Sequence, residues 1–353
     1  MAPPYGFHTT ATEVAADLSS NIRGKTILTT GVTPNSLGSQ FVETIASHSP
    51  ALLILASRSQ DTIDATAAAI RKKNPDVPLR SLIIDLGSLA SVRKAAAEVV
   101  SMQQDEGLRI DVLMLNAGVM ACPYGTTADG FERQFGTNHL GHFVFANAVI
   151  PGMLGAGRAP RVIAVSSEGH QLGPVRFADP GFGGGAAYHR WRAYGQAKTA
   201  NNLYALSLAE KLGRRGLLAF SLHPGGINTN LGRHVDIEGE DWTELSKWRR
   251  EAVFSLLVDA LLISRAVKAF LDLGNPQGFK EYWEENPFKT LDEGTSTHVV
   301  AAFADGLEKD NGKFLRNAQI ASFDMVSPWA RDSYDAERLW KMSEEMVGDK
   351  YDF

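Results

Sequence analysis

From residue 25 onward, short apolar runs alternate with segments in which apolar positions recur every three or four residues, the pattern of repeated βαβ units around a parallel sheet. Strands are predicted over residues 25–30, 51–56, 79–84, 110–116, 161–166 and 217–223, with a last one over 313–320. Helices fall between them over 37–47, from the cap Ser59 through Ile63, Ala67 and Ile70, from the cap Ser88 to about residue 106, and over 131–153 and 193–214. Asp332 caps a closing helix that runs to residue 347. Residues 226–292, which carry Trp242, Trp248, Tyr282, Trp283 and Phe288, interrupt this alternation and predict a helical lid inserted before the last strand and helix. Residues 1–22 read as an arm outside the main fold, 23–347 as a single doubly wound α/β domain, and 348–353 as a tail.

Composition narrows the partners. With 353 residues, 44% hydrophobic and 21% charged, the chain can bury a full core. A net charge of -5 supplies no overall basic field, so nucleic acid is not an expected partner. The longest apolar stretch, residues 254–273, is broken by Asp259, Arg265, Lys268 and Asp272, which predicts a docked helix and no transmembrane span; peripheral membrane contact stays open. The single cysteine, Cys122, forms no internal disulfide, and residues 1–21 lack the basic head and apolar run of a signal peptide, so a cytoplasmic setting is expected. Oligomeric state is not readable from the sequence.

Candidate chemistry collects at the carboxyl ends of the predicted strands, where open α/β sheets bind ligands. After the first strand come Gly31, Asn35, Ser36, Leu37 and Gly38, a turn that leads into a helix N-terminus suited to a pyrophosphate. Glycine lets the backbone turn with positive φ and approach phosphates, Asn35 tolerates the left-handed conformation, and Ser36 caps the helix or bonds a phosphate oxygen. The second strand ends in Arg58 where a carboxylate would bond ribose hydroxyls in an NAD enzyme, and a guanidinium fork there predicts NADP(H). Asp85 can accept from an adenine amino group, with Asn116, Ala117 and Gly118 leaving room for ring and ribose; cap or turn roles suit these residues equally. Asn138 lies on the stripe Phe131, Phe135, Asn138, His142, Phe145, which turns its amide inward, where it needs partners.

Tyr194 and Lys198 stand four apart on a predicted helix, which places an ammonium beside a phenol. A fixed cation stabilises phenolate and lowers the tyrosine pKa, making a general acid/base. Ser167, at the end of the fifth strand, can polarise a substrate carbonyl, and the bend from His223 through Pro224, Gly225 and Ile227 to Thr229 can offer backbone to a nicotinamide amide. His139 and His142 are three apart with no third ligand in view, so helix packing is expected and no metal.

These motifs, in order, resemble the short-chain dehydrogenase/reductase family of Rossmann fold, over roughly residues 25–232. The run Asn138-His139-Leu140-Gly141-His142-Phe143 and Ala56-Ser57-Arg58 resemble its retinol-dehydrogenase-like and WW-domain-oxidoreductase-like branch, particularly the fungal members, although no WW module is present. The resemblance implies that Tyr194 is the proton donor in carbonyl reduction and that Lys198 lowers its pKa and bonds the nicotinamide ribose. It implies further that Ser167, rather than Ser166, holds the substrate oxygen, that Asn138 anchors the water of a proton relay, and that Asp85 with Leu86 belongs to the cofactor site. The phosphate loop departs from the family's Thr-Gly-x-x-x-Gly-x-Gly by one extra residue and by Ser36 in place of the middle glycine. The expected substrate is a lipophilic ketone, aldehyde or alcohol, retinoid-like, steroid-like, polyketide or terpenoid, in an apolar pocket between residues 167–191, the lid and the C-terminal region. A non-redox biosynthetic step on the same fold and a nucleotide-binding scaffold without catalysis remain the alternatives.

Overall fold

The apolar runs form a twisted sheet whose two faces are both covered. In the computed structural model, which describes residues 5–155, 159–232, 234 and 288–353, seven strands run parallel. They are β1 (Thr26–Thr30), β2 (Leu52–Ser57), β3 (Leu79–Ile83), β4 (Val112–Leu115), β5 (Arg161–Val165), β6 (Leu218–His223) and β7 (Phe314–Arg316), in the spatial order β3-β2-β1-β4-β5-β6-β7. β8 (Gln319–Ile320) adds an antiparallel edge. The order reverses between β1 and β4, so their connections leave to opposite sides and open a crevice at the carboxyl edge.

Helices cover the faces: α1 (Ala11–Asp17), α2 (Ser19–Ile22), α3 (Leu37–Ala46), α4 (Gln60–Lys73), α5 (Leu89–Asp105), α6 (Arg133–Phe135), α7 (Gly141–Met153), α8 (Arg190–Leu212), α9 (Leu291–Phe303) and α10 (Ser333–Val347). Strand alternation divides the core. Leu28, Ile54, Leu113 and Leu115 meet α5, α7, α8 and α10 on one face, while Ile27, Leu53, Leu55 and Met114 meet α1, α3, α4 and α9 on the other. Ser36, Ser59, Ser88 and Asp332 cap α3, α4, α5 and α10 with their side chains.

Four expectations change. Residues 5–22 dock on the main fold instead of standing outside it. Ala11, Val14, Ala15 and Ile22 are fully buried, and Asn21 Nδ2 donates to Phe303 O at 2.8 Å, because a short amphipathic helix gains more by covering α9 than by solvation. The predicted last strand splits at Asn317 and Ala318, whose φ values of 50° and 58° make a two-residue hairpin and turn β8 back on β7. The helix predicted over 131–153 has a π-helical turn at Gly136–Leu140 between α6 and α7. α8 begins at Arg190, three residues before its predicted start, because His189 Nδ1 accepts from Arg192 N. Most of the predicted lid, with Trp242, Trp248, Tyr282 and Trp283, lies outside the described residues. At its far end Phe288 is exposed, and Lys289 N donates to Gly226 O at 2.8 Å.

Candidate active site

A cleft of about 660 Å³ follows the carboxyl edge of the sheet. It brings together Gly31, Ser36, Leu37, Arg58, Asp85, Leu86, Asn116, Ala117 and Gly118 at one side, and Ser167, Tyr194, Lys198, Pro224, Gly225, Ile227 and Thr229 at the other. Asn35, Gly38 and Asn138 do not line it; each shapes the wall from behind.

The loop after β1 is built for close approach. Gly31 has φ 75°, and a Cβ there would stand 2.7 Å from Ala117 Cα, so only glycine lets β1 and β4 part at this spacing. Asn35 takes the left-handed conformation at φ 60°. The Ser36 hydroxyl accepts from Ser39 N and donates to Gly31 O, each at 3.2 Å, so it is spent on folding the loop. Gly38 abuts the Gly31 carbonyl and has no space for a side chain. The N–H groups of Leu37 and Gly38 take no protein acceptor among the described residues, and with the α3 dipole they suit an anion. Val32 is fully buried, and its carbonyl accepts from Thr66 Oγ1 at 2.6 Å, which ties the loop to α4.

Beside it, Arg58 is exposed at the rim, and Asp85 uses its carboxylate on Gly87 N at 3.0 Å, the turn role. The Asn116 side chain holds Thr30 O at 2.9 Å. Asn116 N and Ala117 N both donate to Thr30 Oγ1, at 3.0 and 3.1 Å. His142 completes this knot: its Nδ1 lies 3.0 Å from Asn138 O and its Nε2 3.0 Å from Thr30 Oγ1. Burial pushes its pKa down to about 4, so the ring is neutral, with Nδ1–H donating and Nε2 accepting from the hydroxyl. His139 points elsewhere, to Ser343 Oγ at 2.8 Å, and the two histidines share no site. Among the described residues no group of three metal-ligating side chains occurs.

The chemistry-bearing side chains converge on the floor. Tyr194 and Lys198, each 4% exposed, project from α8. Ser167 shares the cleft with Tyr194 and lowers its pKa, and the Ser167 hydroxyl accepts from Gly169 N at 3.0 Å. Gly169 has to be small, since a Cβ there would come within 2.6 Å of the Tyr194 ring. Lys198 Nζ donates to Val165 O at 3.0 Å and lies 5.5 Å from the Tyr194 ring centroid. Asn138 is fully buried and grips Val119 twice, accepting from its N at 2.8 Å and donating to its O at 2.9 Å, which fixes the Gly118 floor next to Lys198. Ser166, the other serine of the pair, is occupied: its hydroxyl donates to Lys198 O at 2.8 Å.

The expected electrostatics differ. Lys198 is expected to lower the Tyr194 pKa, yet desolvation dominates both groups: burial pushes Tyr194 up to about 12, offset only by Ser167, and pushes Lys198 down to about 8. The ammonium faces the Val165 carbonyl rather than the phenol oxygen. The loop at Gly31, the free N–H groups of α3 and the Lys198 pocket together fit a nicotinamide dinucleotide.

Several residues that hold the site carry weak sequence signals. Thr30 and His142 are separated by more than a hundred positions, Thr66 lies on a surface helix, and Glu168 and Arg316 belong to no motif of the sequence. His170 braces the Ser167 turn from behind, receiving Ser327 N on Nε2 at 3.2 Å and Trp329 Nε1 on its carbonyl at 3.0 Å.

The short chain dehydrogenase family profile matches residues 25–238. Retinol dehydrogenase 13 of Homo sapiens is 31% identical over 334 residues, 95% of this chain and 88% of that protein. Retinol dehydrogenase 12 of Homo sapiens is 31% identical over 93% of this chain and 88% of its own length. Among solved structures, a putative uncharacterized protein from Mycobacterium paratuberculosis superposes with a TM-score of 0.63 at 26% identity, over 95% of this chain and 98% of that one. An NAD+-bound xylitol dehydrogenase superposes at 0.55 with 20% identity over 83% of this chain and 97% of that one; at that identity it shares the fold alone. No helix among the described residues is long and apolar enough to cross a membrane.

Proposed function

This chain belongs to the short chain dehydrogenase family, and on that footing we propose that it transfers a hydride between NADP(H) and a lipophilic carbonyl/alcohol pair, with Tyr194 as general acid/base. The observation that carries the reading is the convergence of Tyr194, Ser167 and Lys198 on one cleft, with Tyr194 and Lys198 both buried. The nicotinamide, when bound, supplies or accepts the hydride. The chain's own residues do the rest. In reduction Ser167 Oγ orients the substrate oxygen and Tyr194 gives it the phenolic proton; Lys198 Nζ, now on Val165 O, would hold the cofactor ribose and return a proton to Tyr194, and Asn138 steadies the Gly118 floor beneath. A Tyr194 pKa near about 12 keeps the phenol protonated at neutral pH, the form that reduction needs.

NADP(H) rather than NAD(H) follows from Arg58, an exposed guanidinium on the cleft rim at the end of β2, where a ribose-binding carboxylate would otherwise sit. A lipophilic substrate is supported by Met120, Leu172 and Trp191 on the cleft wall and by the retinol dehydrogenases among the relatives. We place the reaction in the cytosol; fractionation into soluble and membrane pellets tests that placement.

The decisive experiment follows NADPH oxidation against a panel of lipophilic ketones and aldehydes. Tyr194→Phe is expected to lose turnover by roughly 100- to 10,000-fold while calorimetry still registers NADPH binding. Unchanged turnover in that variant removes the proposal. Product formed without NADPH consumption would favour a non-redox reaction instead, and absence of any NADPH binding would favour a scaffold.

A further inference from the structure

On the far side of Ser167, where β5, β6 and β7 end, stands a set of charged side chains that hydride transfer itself does not require. Glu168 follows Ser167 in the chain, His223 closes β6, and Arg316 pairs with His223 in register at the end of β7. All three line the cleft that contains Tyr194 and Ser167. Arg316 Nη2 is 2.8 Å from Glu168 Oε1, and His223 Nε2 is 3.5 Å from Glu168 Oε2. Behind them Lys289 is 4% exposed; its Nζ lacks a hydrogen-bond partner among the described residues and sits 4.5 Å over the ring of Phe7, another cleft residue.

The donors outnumber the acceptors. Among the described residues Arg316 Nε has no hydrogen-bond partner, and Nη1 reaches the thioether sulfur of Met325, a weak acceptor. Burial drives His223 down to about 4 and leaves it neutral, while Lys289, pushed down to about 8, keeps most of its charge at neutral pH. Glu168 faces both cations and Glu293 also draws on Lys289, so what is left over is hydrogen-bonding capacity: buried Lys289 Nζ and Arg316 Nε stand unpaired among the described residues. Unpaired donors in a low-dielectric wall are costly unless an anion with spare lone pairs completes them.

We propose that Arg316, held by Glu168 and backed by Lys289, is a subsite for a carboxylate on the substrate, so that the molecule worked on at Tyr194 and Ser167 is an amphipathic oxo acid or hydroxy acid rather than a neutral lipid. This rests on the hydride-transfer reading above. The guanidinium fork matches a carboxylate in two parallel hydrogen bonds. Glu168 fixes the plane of that fork, and the apolar wall of Met120, Leu172 and Trp191 takes the hydrocarbon body.

The test uses a medium-chain oxo acid and its methyl ester as matched substrates, with NADPH, in the wild type, Arg316→Met and Arg316→Lys. The wild type is expected to favour the acid by roughly 10- to 100-fold in kcat/KM, chiefly through KM, as befits a hydrogen-bonded charge. Arg316→Met is expected to erase that preference while still turning over the ester, and Arg316→Lys to restore part of it. Equal use of acid and ester by the wild type overturns the subsite and leaves hydride transfer standing. Calorimetry with decanoate and methyl decanoate on NADPH-loaded Tyr194→Phe protein reads the subsite without turnover. Arg316-dependent binding of decanoate alone supports it even if neither oxo compound reacts, in which case the catalytic reading fails. Loss of NADPH affinity in Arg316→Met with decanoate binding unchanged would assign the cation to a cofactor phosphate and end the proposal.

Discussion

A buried phenol and a buried ammonium respond to desolvation in opposite senses, and at this site both responses favour the neutral form: Tyr194 rises and Lys198 falls. Their proximity on α8 is therefore not by itself an activation device; what the pair does depends on the charge and hydrogen bonding of whatever fills the cleft. Arg58 is simpler, because it stands at the rim in water and its value lies in what it meets. Arg58→Ala is expected to weaken NADPH binding by roughly 10- to 100-fold, the worth of a hydrogen bond to a charged group. NADH binding should stay nearly unchanged. Calorimetry with both nucleotides checks this, and equal losses would show that Arg58 does not read the 2'-phosphate.

At the scale of elements, the π-helical turn at Gly136–Leu140 is the feature on which the floor of the cleft depends. Glu132 caps the segment by accepting from Gln134 N and Phe135 N at 2.8 Å, and Gly141 N donates five residues back to Gly136 O. The extra residue in the turn carries Asn138 onto Val119 and His142 onto Thr30. Two backbone groups of Val119 depend on that one amide. Asn138→Ala should orphan both, at up to about 1–3 kcal/mol for each of these part-buried groups, and thermal unfolding should register a drop in Tm. NADPH affinity should fall with it, because Gly118 loses its support. A variant that melts like the wild type would show that water replaces the amide without loss.

For the whole molecule, the buried histidines govern behaviour in acid. Burial lowers His139 and His298 to about 3 and His142 and His223 to about 4. The unfolded chain takes up protons near the ordinary histidine value while the folded protein refuses them. Unfolded protons then exceed folded ones between about pH 6.5 and 4, so stability is full above that window and falls as the pH drops through it. Each such histidine contributes up to about 1.4 kcal/mol per pH unit there. Urea unfolding measured from pH 7 to pH 4 should show this steep decline, and a flat profile would mean that these rings are not buried neutral.

Much of this was legible in the chain itself, and the reason is physical. Side-chain periods of two and of three to four residues follow from backbone geometry, so Ile27 and Leu28 announce a strand covered on both faces, and Ser36, Ser59, Ser88 and Asp332 announce helix starts, before any tertiary contact exists. The Tyr194–Lys198 spacing and the strand-end positions of Ser167 and Arg58 are local in the same sense. Contacts between segments distant in sequence leave no such trace. The knot of Thr30 with His142, the docking of α1 on α9, the hairpin at Asn317 and Ala318, and the meeting of Glu168 with Arg316 each join or redirect segments by packing alone. Burial is likewise a property of the assembled molecule, which is why spacing could place Lys198 beside Tyr194, whereas only the packed site decided in which direction each would titrate.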